Sequence, residues 1–189
     1  MKRAMLGLVE QAWVGCQRCG LGRFRSKMVF WRGSPEAKVA IVGEGPGREE
    51  DRLGKPFVGP AGRMLDDVLT RAGFDPGEVF IMNVVACRPP SNRTPQVGEV
   101  WSCKRRVAQM LWIVRPRVVV LAGTAAAGLA GISAVTPFRG TLTTVELAFN
   151  GVPLRLPAIP TFHPSFLLRN PGEALTVVDD FQAARRIAQ

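Results

Sequence analysis

The sequence predicts an α/β fold, a three-layer α/β/α sandwich around a central, mostly parallel sheet of four strands. Short, nearly unbroken apolar runs support this prediction, because such runs are typical of strands buried on both faces of a sheet. They occupy residues 39–42, 79–85, 118–122 and 158–162. Segments with helical spacing of apolar residues separate them. Strands that alternate with helices are typical of a parallel sheet covered by helices on both faces.

The other elements follow from periodicity and from turn-forming residues. Apolar residues at helical spacing, together with stop signals, predict helices at residues 4–14, 60–72, 95–114, 125–130 and 172–188. Thr94 is expected to cap the third of these, with Pro95 in its first turn. Asn150-Gly151 predicts a hairpin turn between two further strands. A short strand is also expected at residues 29–31.

Length and composition predict a single domain, residues 1–189. No apolar run approaches the roughly 20 residues that a membrane-spanning helix needs, so no membrane partner is expected. Glu10 and Gln11 interrupt the apolar N-terminal segment early, so we interpret it as a helix and not as a signal peptide. We expect a cytoplasmic protein, and a monomer.

The chain is strongly basic. Its 25 Lys and Arg against 15 Asp and Glu give a net charge of +10. Such a balance favours a polyanionic partner, most often nucleic acid. A basic composition that serves only solubility is the alternative interpretation.

The cysteines form two pairs, a C-x2-C pair at Cys16 and Cys19 and a C-x15-C pair at Cys87 and Cys103. A C-x2-C pair presents two thiolates to one metal centre, and the distant pair can complete a set of four ligands. Two disulfides are an alternative, but no secretion signal indicates an oxidising compartment. Zinc and a [4Fe–4S] cluster both remain open on ligand count alone.

The loop that follows the first buried strand is the first candidate site. Open α/β proteins place ligands in such loops, and glycine there lets the backbone approach a ligand closely. Gly43, Glu44 and Gly45 begin this loop, and Phe57 lies near its end. Phe57 is either a core residue or an aromatic platform for a base. The acidic residues 49–51 are expected to form a solvated turn or a helix N-terminus.

Two polar residues lie at the ends of later strands. Asn83 interrupts the second buried strand, where it is either a satisfied core amide or a reader of a hydrogen-bonding ligand edge. His163 is the chain's single histidine and follows the last central strand directly. A lone histidine is usually structural, but a position at the carboxyl end of a parallel strand is where site residues collect. We therefore include both residues in the candidate site.

Four segments resemble motifs of the iron–sulfur uracil-DNA glycosylases, known as family 4. The segments are GEGPGREED, GKPFVGPAGRMLD, NVVACRPPSNRTP and HPSFLLRNP. With the four cysteines, they follow the family's order from Cys16 to about Asn170. Gly45 departs from the alanine that many relatives carry there. The family's central parallel sheet between helices agrees with the fold predicted above.

The resemblance implies a role for each candidate residue. Phe57 would stack on a flipped-out uracil, Asn83 would bind its Watson–Crick edge, and the backbone at Gly43 and Gly45 would line the pocket. His163 would donate to uracil O2, and Glu44 would position water or stabilise the sugar cation. A DNA-wedging loop is implied at Ser165, Leu167, Leu168 and Arg169. The ligands of a [4Fe–4S] cluster, in a lobe built from the N-terminal segment and residues 87–103, would be Cys16, Cys19, Cys87 and Cys103.

The implied function is monofunctional excision of uracil from single- or double-stranded DNA in base-excision repair, which leaves an abasic site. A related branch attacks the sugar with a histidine on an inserted arginine-rich loop. This chain has only His163 and no such insertion after the second buried strand, so that chemistry is not expected. The alternatives are a metal-bearing nucleic-acid-binding protein without catalysis and a glycosylase with broader specificity for deaminated bases. Only an enzyme requires Glu44, Phe57, Asn83 and His163 to converge on one pocket.

Overall fold

The computed structural model describes residues 1–189. Six strands form one sheet: β1 (Trp31–Gly33), β2 (Val39–Gly43), β3 (Phe80–Asn83), β4 (Val118–Ala122), β5 (Thr143–Phe149) and β6 (Val152–Thr161). The helices are α1 (Lys2–Trp13), α2 (Arg48–Leu53), α3 (Pro60–Arg71), α4 (Val97–Val114), α5 (Thr124–Ala127), α6 (Pro164–Leu167) and α7 (Ala174–Ala188). The predicted α/β class is confirmed.

The sheet is wider than predicted. Its order is β1-β3-β2-β4-β6-β5, and the four inner strands are parallel, as predicted. An antiparallel strand lies at each edge, so the sheet has six strands and not four. The second arm of the Asn150-Gly151 hairpin and the last central strand are one continuous strand, β6. β6 therefore pairs with the hairpin on one side and the parallel sheet on the other.

The inner strands divide their side chains between two cores. Ala40 and Val42 of β2 pack on the face covered by α1 and α4. Val39 and Ile41 face the other way, toward α3 and α7. This alternation is the pleat of a strand buried on both faces. It gives the three layers and brings the carboxyl ends of β2, β3, β4 and β6 to one edge of the sheet.

One helix prediction is narrowed and another needs correction. The loop after β2 contains a short helix, α2, which the sequence indicated only as one of two alternatives for residues 49–51. The residue that caps α4 is Gln96 and not Thr94. The carboxylate of Glu99 accepts from the backbone N–H of Gln96 at 2.7 Å, which satisfies a donor at the helix start. No helix of this protein is long and apolar enough to cross a membrane.

Candidate active site

A cavity of about 690 Å³ opens at the carboxyl-terminal edge of the sheet. Glu44, Gly45, Phe57, Asn83 and His163 all line it, although they come from three separate regions of the chain. The parallel strands explain the convergence, because β2, β3 and β6 end at this edge. The predicted site residues are thus brought together by the topology of the sheet.

Asn83 presents an unpartnered acceptor to the cavity. It is the last residue of β3 and only 2% exposed, yet its Oδ1 has no hydrogen-bond partner. Gly43 lies beside it on β2. A Cβ at Gly43 would overlap both the Asn83 side chain and the Phe57 ring. Glycine is therefore required there, and Gly43 shapes the cavity by leaving space for its neighbours.

Phe57 is held by an unusual backbone conformation. Its φ is +53°, in the left-handed region that costs energy for a bulky residue. Gly62 of α3 packs against its main chain so closely that a Cβ there would overlap it. The Phe57 ring lies 5.6 Å from the His163 ring, centroid to centroid, with the two planes tilted by 32°. Phe57 is thus a cavity wall whose position is fixed by its backbone.

His163 has a defined proton arrangement. Its Nδ1 accepts from the backbone N–H of Ser165 at 3.2 Å and lies 2.8 Å from the Ser165 hydroxyl. Burial lowers the pKa of His163, outweighing the opposite effect of Glu44 and Glu50. A neutral ring whose Nδ1 accepts must carry its proton on Nε2. Nε2 is buried without a partner, so His163 can donate to a ligand in the cavity.

Glu44 is anchored at the start of α5. Its Oε1 accepts from the backbone N–H of Ala125 at 3.2 Å. Gly123, with φ of +92°, packs against this carboxylate, and a Cβ there would lie 2.7 Å from Oε1. Sequence reasoning missed Gly123. The signal was a glycine at the carboxyl end of a buried apolar run, as Gly43 is at the end of β2.

The acidic residues 49–51 lie in the first turn of α2, so the expected helix N-terminus is confirmed and the alternative, a solvated turn, is not. Glu50 and Asp51 are buried. Glu50 accepts from the backbone N–H groups of Val58 and Gly59 at 2.9 and 2.8 Å, and from Gly47 at 3.1 Å. It therefore ties the two ends of the loop that carries Phe57. A helix of six residues is too short for its buried face to be recognised by periodicity.

Arginines surround the mouth of the cavity. Arg48, Arg88, Arg93 and Arg169 all line it. Arg93 is fixed by a bidentate pair with Glu99, at 2.6 and 2.9 Å. This pairing and the backbone bond from Gln96 lower the pKa of Glu99. Cations at the mouth of the cavity can attract a phosphate backbone.

The structure separates the two leucines of the predicted DNA-wedging loop. Leu168 is 48% exposed and lines the cavity mouth with Ser165. Leu167 is 0% exposed and packs in the core beside α3 and α7. The assignment of Leu167 to a DNA contact is therefore wrong, because its side chain is not available at the surface. Leu168, Ser165 and Arg169 remain candidates.

The four cysteines lie around one region, between the N-terminal segment and α4. Burial raises the pKa of Cys19, and it raises the pKa of Cys87 to about 11 despite the nearby Arg25. Negative charge on Cys16 or Cys103 would raise the pKa of Cys19 further, which shows that these thiols lie within electrostatic reach. Arg25 lies 3.4 Å from Cys87 Sγ and donates to the Cys16 carbonyl at 2.7 Å.

The chemistry of this donor set fits an iron–sulfur cluster, whose protein ligands are cysteine thiolates. In this structure no group of three or more His, Cys, Asp or Glu side chains is close enough to hold a single metal ion. All four cysteines are free, as cluster ligation requires. Buried thiols with raised pKa values need a positive centre to hold them as thiolates.

Comparison with known proteins agrees with the geometry. A family model of the uracil DNA glycosylase superfamily matches residues 30–187. A type-4 uracil-DNA glycosylase of Thermotoga maritima is 35% identical over 97% of this chain and 95% of the relative. A type-4 uracil-DNA glycosylase of Pyrobaculum aerophilum is 40% identical over 83% of this chain and 81% of the relative. A type-5 uracil-DNA glycosylase of the same organism is 31% identical over 93% of this chain and 88% of the relative.

The family match covers most of the chain, including β1 to β6 and all the residues that line the cavity. The match covers 95% and 81% of these two type-4 relatives, so the similarity is not confined to one motif. The chain therefore belongs to the uracil DNA glycosylase superfamily and, within it, to the type-4 uracil-DNA glycosylases.

Proposed function

We propose that this protein removes uracil from DNA by hydrolysing its N-glycosidic bond, as the first step of base-excision repair. The observation that supports this proposal best is the pair of unpartnered buried atoms in the cavity, Asn83 Oδ1 and His163 Nε2. One accepts a hydrogen bond and the other can donate one. Uracil offers the complementary groups, an N3–H donor beside two carbonyl acceptors.

Uracil binding begins with flipping, because a stacked base cannot reach a buried pocket. The flipped base stacks on Phe57, and Asn83 accepts from N3–H while its amide donates to O4. Cytosine has no proton on N3 and carries an amino group in place of O4, so Asn83 rejects it. Gly43 and Gly45 let the base approach the backbone. Leu168, with Ser165 and Arg169, fills and holds the vacated space in the duplex.

Bond cleavage places negative charge on the uracil and positive charge on the sugar. The Nε2–H of His163 donates to O2 as the negative charge develops there, by the logic of an oxyanion hole. The Glu44 carboxylate stabilises the sugar cation and accepts a proton from the water that attacks C1′. The uracil anion takes a proton from solvent, and Glu44 releases to solvent the proton that it accepted. The products are free uracil and an abasic site, with no covalent enzyme intermediate.

The test is a duplex with a single U·G pair, incubated with the protein and then with alkali. We expect a strand break at the uracil position and none in the matching duplex with a C·G pair. The same assay on U·A and single-stranded substrates would rank them. Absence of a break at uracil, from folded protein, would contradict the proposal and favour nucleic-acid binding without catalysis.

We also propose that Cys16, Cys19, Cys87 and Cys103 hold a [4Fe–4S] cluster. When bound, the cluster would link the N-terminal segment to residues 87–103, so its role would be structural and no reaction step requires it. The purified protein should be brown and absorb near roughly 400 nm, as cysteine-held clusters do. A colourless protein that contains zinc would contradict this assignment. We expect the enzyme to act as a cytoplasmic monomer.

A further inference from the structure

Arg106 is a fully buried cation that the reaction scheme above does not use. It lies in α4, three residues after Cys103, and is 0% exposed. None of the ion pairs in this protein includes it. Its Nη1 lies 3.3 Å from the sulfur of Met110, and its Nε has no partner. A buried charge without a counter-charge has a large desolvation cost, so its retention requires an explanation.

The guanidinium is bound directly behind the uracil-reading residue. Its Nη2 donates to the main-chain carbonyls of Asn83 and Val84, at 2.6 and 2.9 Å. The Asn83 side chain faces the cavity, on the opposite side of the sheet from α4. Arg106 therefore touches the backbone of Asn83 from one side while the base would occupy the other.

The end of β3 is also held on its N–H side. Val84 and Val85 donate their N–H groups to the carbonyls of Gly43 and Glu44, at 2.8 and 3.2 Å. Arg106 binds the carbonyls that these bonds leave free. The orientation of Asn83 relative to Glu44 is thus fixed from both sides of the strand.

The charge of Arg106 offsets nearby carboxylates that disfavour negative charge on the leaving base. Glu44 and Glu50 line the cavity with negative charge, and His163 is neutral. The rim arginines face water, which screens them. Arg106 is buried, where a charge is screened much less. Uracil is neutral when it binds and anionic as it leaves, so a fixed cation favours the transition state over the ground state.

We propose that Arg106 is a positioning residue for uracil excision, which fixes the Asn83 backbone and supplies the buried positive charge that favours departure of the uracil anion. This inference rests on the proposed function. This role of Arg106 differs from a purely structural one in one measurable way. The loss of excision rate on removing the charge should depend on how much stabilisation the leaving base needs as an anion.

The experiment compares uracil with 5-fluorouracil in otherwise identical duplexes. Fluorine withdraws electrons and makes the base a better leaving group, which needs less stabilisation. Arg106→Gln removes the charge but keeps an N–H donor for the carbonyls. We expect its single-turnover rate on uracil to fall about tenfold, less than for loss of a direct donor to the base. The fall on 5-fluorouracil should be several times smaller.

Arg106→Lys keeps the charge and should retain the wild-type ratio of the two rates, even if both rates fall. Arg117→Met is the control, because Arg117 also binds main-chain oxygens, those of Ala188 and Gln189, but lies away from the cavity. Equal losses on both bases in Arg106→Gln, or no loss on either, would overturn the proposal.

Folding of each variant is checked by thermal melting. It is also checked by the absorbance near roughly 400 nm that is expected of a cysteine-held cluster. If Arg106→Gln does not fold, Arg106→Lys decides, because a changed ratio in a variant that keeps the charge would contradict the electrostatic role. A wild-type protein that excises neither base would instead refute the proposed function, so the two failures are distinguishable.

Discussion

Two buried polar clusters lie at the end of β6, and their hydrogen bonding is opposite. Thr161, the last residue of the strand, donates to Asp180 of α7 at 2.7 Å, and Arg139 binds the same carboxylate at 2.6 and 3.2 Å. His163, two residues later, faces the cavity with Nε2 unpartnered. The polar groups of the first cluster have all their hydrogen-bond partners within the protein. In the second, Nε2 of His163 lacks a hydrogen-bond partner, and a ligand can supply one.

The difference separates buried polar groups that are satisfied within the fold from those that are free to bind a ligand. Nearly all buried polar atoms in folded proteins are paired, so an unpaired one requires a reason. Four such side-chain atoms occur here, and two of them, on Asn83 and His163, line one cavity. A third belongs to Arg106, which binds the Asn83 backbone. Unmet hydrogen-bonding capacity is therefore concentrated where a base would bind.

The largest effect is expected for His163→Ala. Loss of a donor to the developing anion typically costs about 10²–10³ in rate, or roughly 2.7–4 kcal/mol. The single-turnover rate on a U·G duplex should fall by that factor. The melting temperature should fall only slightly, because Nε2 makes no bond within the protein and alanine removes only the contacts of Nδ1 with Ser165. A rate within threefold of wild type would show that His163 is not the donor.

Asp180→Ala should show the reverse behaviour. Removing one partner of a buried ion pair costs roughly 3 kcal/mol, and Arg139 is left with reduced bonding. We expect the free energy of unfolding to fall by about that amount in urea, while the excision rate of the folded protein stays within about threefold. A large loss of rate would mean that the Asp180 cluster also positions His163.

Asp180→Asn is the matched control for that variant. Burial raises the pKa of Asp180, although Thr161 and Arg139 act against it. A raised pKa means that the fold favours the uncharged form more than water does, so this contribution to stability is present at low pH and lost as the pH rises. Asparagine resembles the uncharged form and keeps an acceptor for Thr161. It should be clearly less destabilising than alanine, and equal losses would contradict this account.

Asn83→Asp tests the reading of the base, with an effect on rate slightly smaller than that of His163→Ala. An aspartate at this position cannot donate to uracil O4, and its charge would repel that oxygen. We expect a fall in rate of about 30–100-fold, with unchanged affinity for uracil-free DNA. Asn92→Asp makes the same chemical change at the cavity rim and is the control. Equal losses in the two variants would refute the readout role.

The sequence predicted the inner sheet well because each parallel strand is a short apolar run. It predicted the edges less well, since an edge strand such as β5 alternates buried and exposed residues and depends on its partner. Asn83, His163 and Glu44 were found because polar residues within or just after a buried apolar run are conspicuous. The resemblance to family 4 then gave them roles, which remain proposals.

Other site features could not be predicted, for physical reasons. Lys104, Arg105 and Arg106 are consecutive basic residues, and only the packing of α4 shows that the third is buried. Glu49 and Glu50 are adjacent, yet only Glu50 binds the backbone of the Phe57 loop. Leu167 and Leu168 are indistinguishable by residue type, and a helix of four residues decides which is exposed.

The smallest expected effect is the pH dependence of excision, and it tests the proton arrangement of His163. Burial lowers the pKa of this residue below the ordinary histidine value of about 6.5. The ring is therefore neutral at neutral pH, with its proton on Nε2. Excision rates at about pH 7.5 and 6.5 should agree within roughly twofold, and a decline should begin only at lower pH.

The same shift has a consequence for stability, with a sign that can be checked. A histidine whose folded-state pKa is lowered contributes stability that is present above its unfolded pKa and is lost as the pH falls through the folded value. Wild-type protein should therefore lose stability below about pH 6.5 more steeply than His163→Ala. A rate that instead falls as the pH rises through 7 would mean that the protonated ring is the active form. His163 would then act as a charged group, like those of the Asp180 cluster, and not as the neutral donor described here.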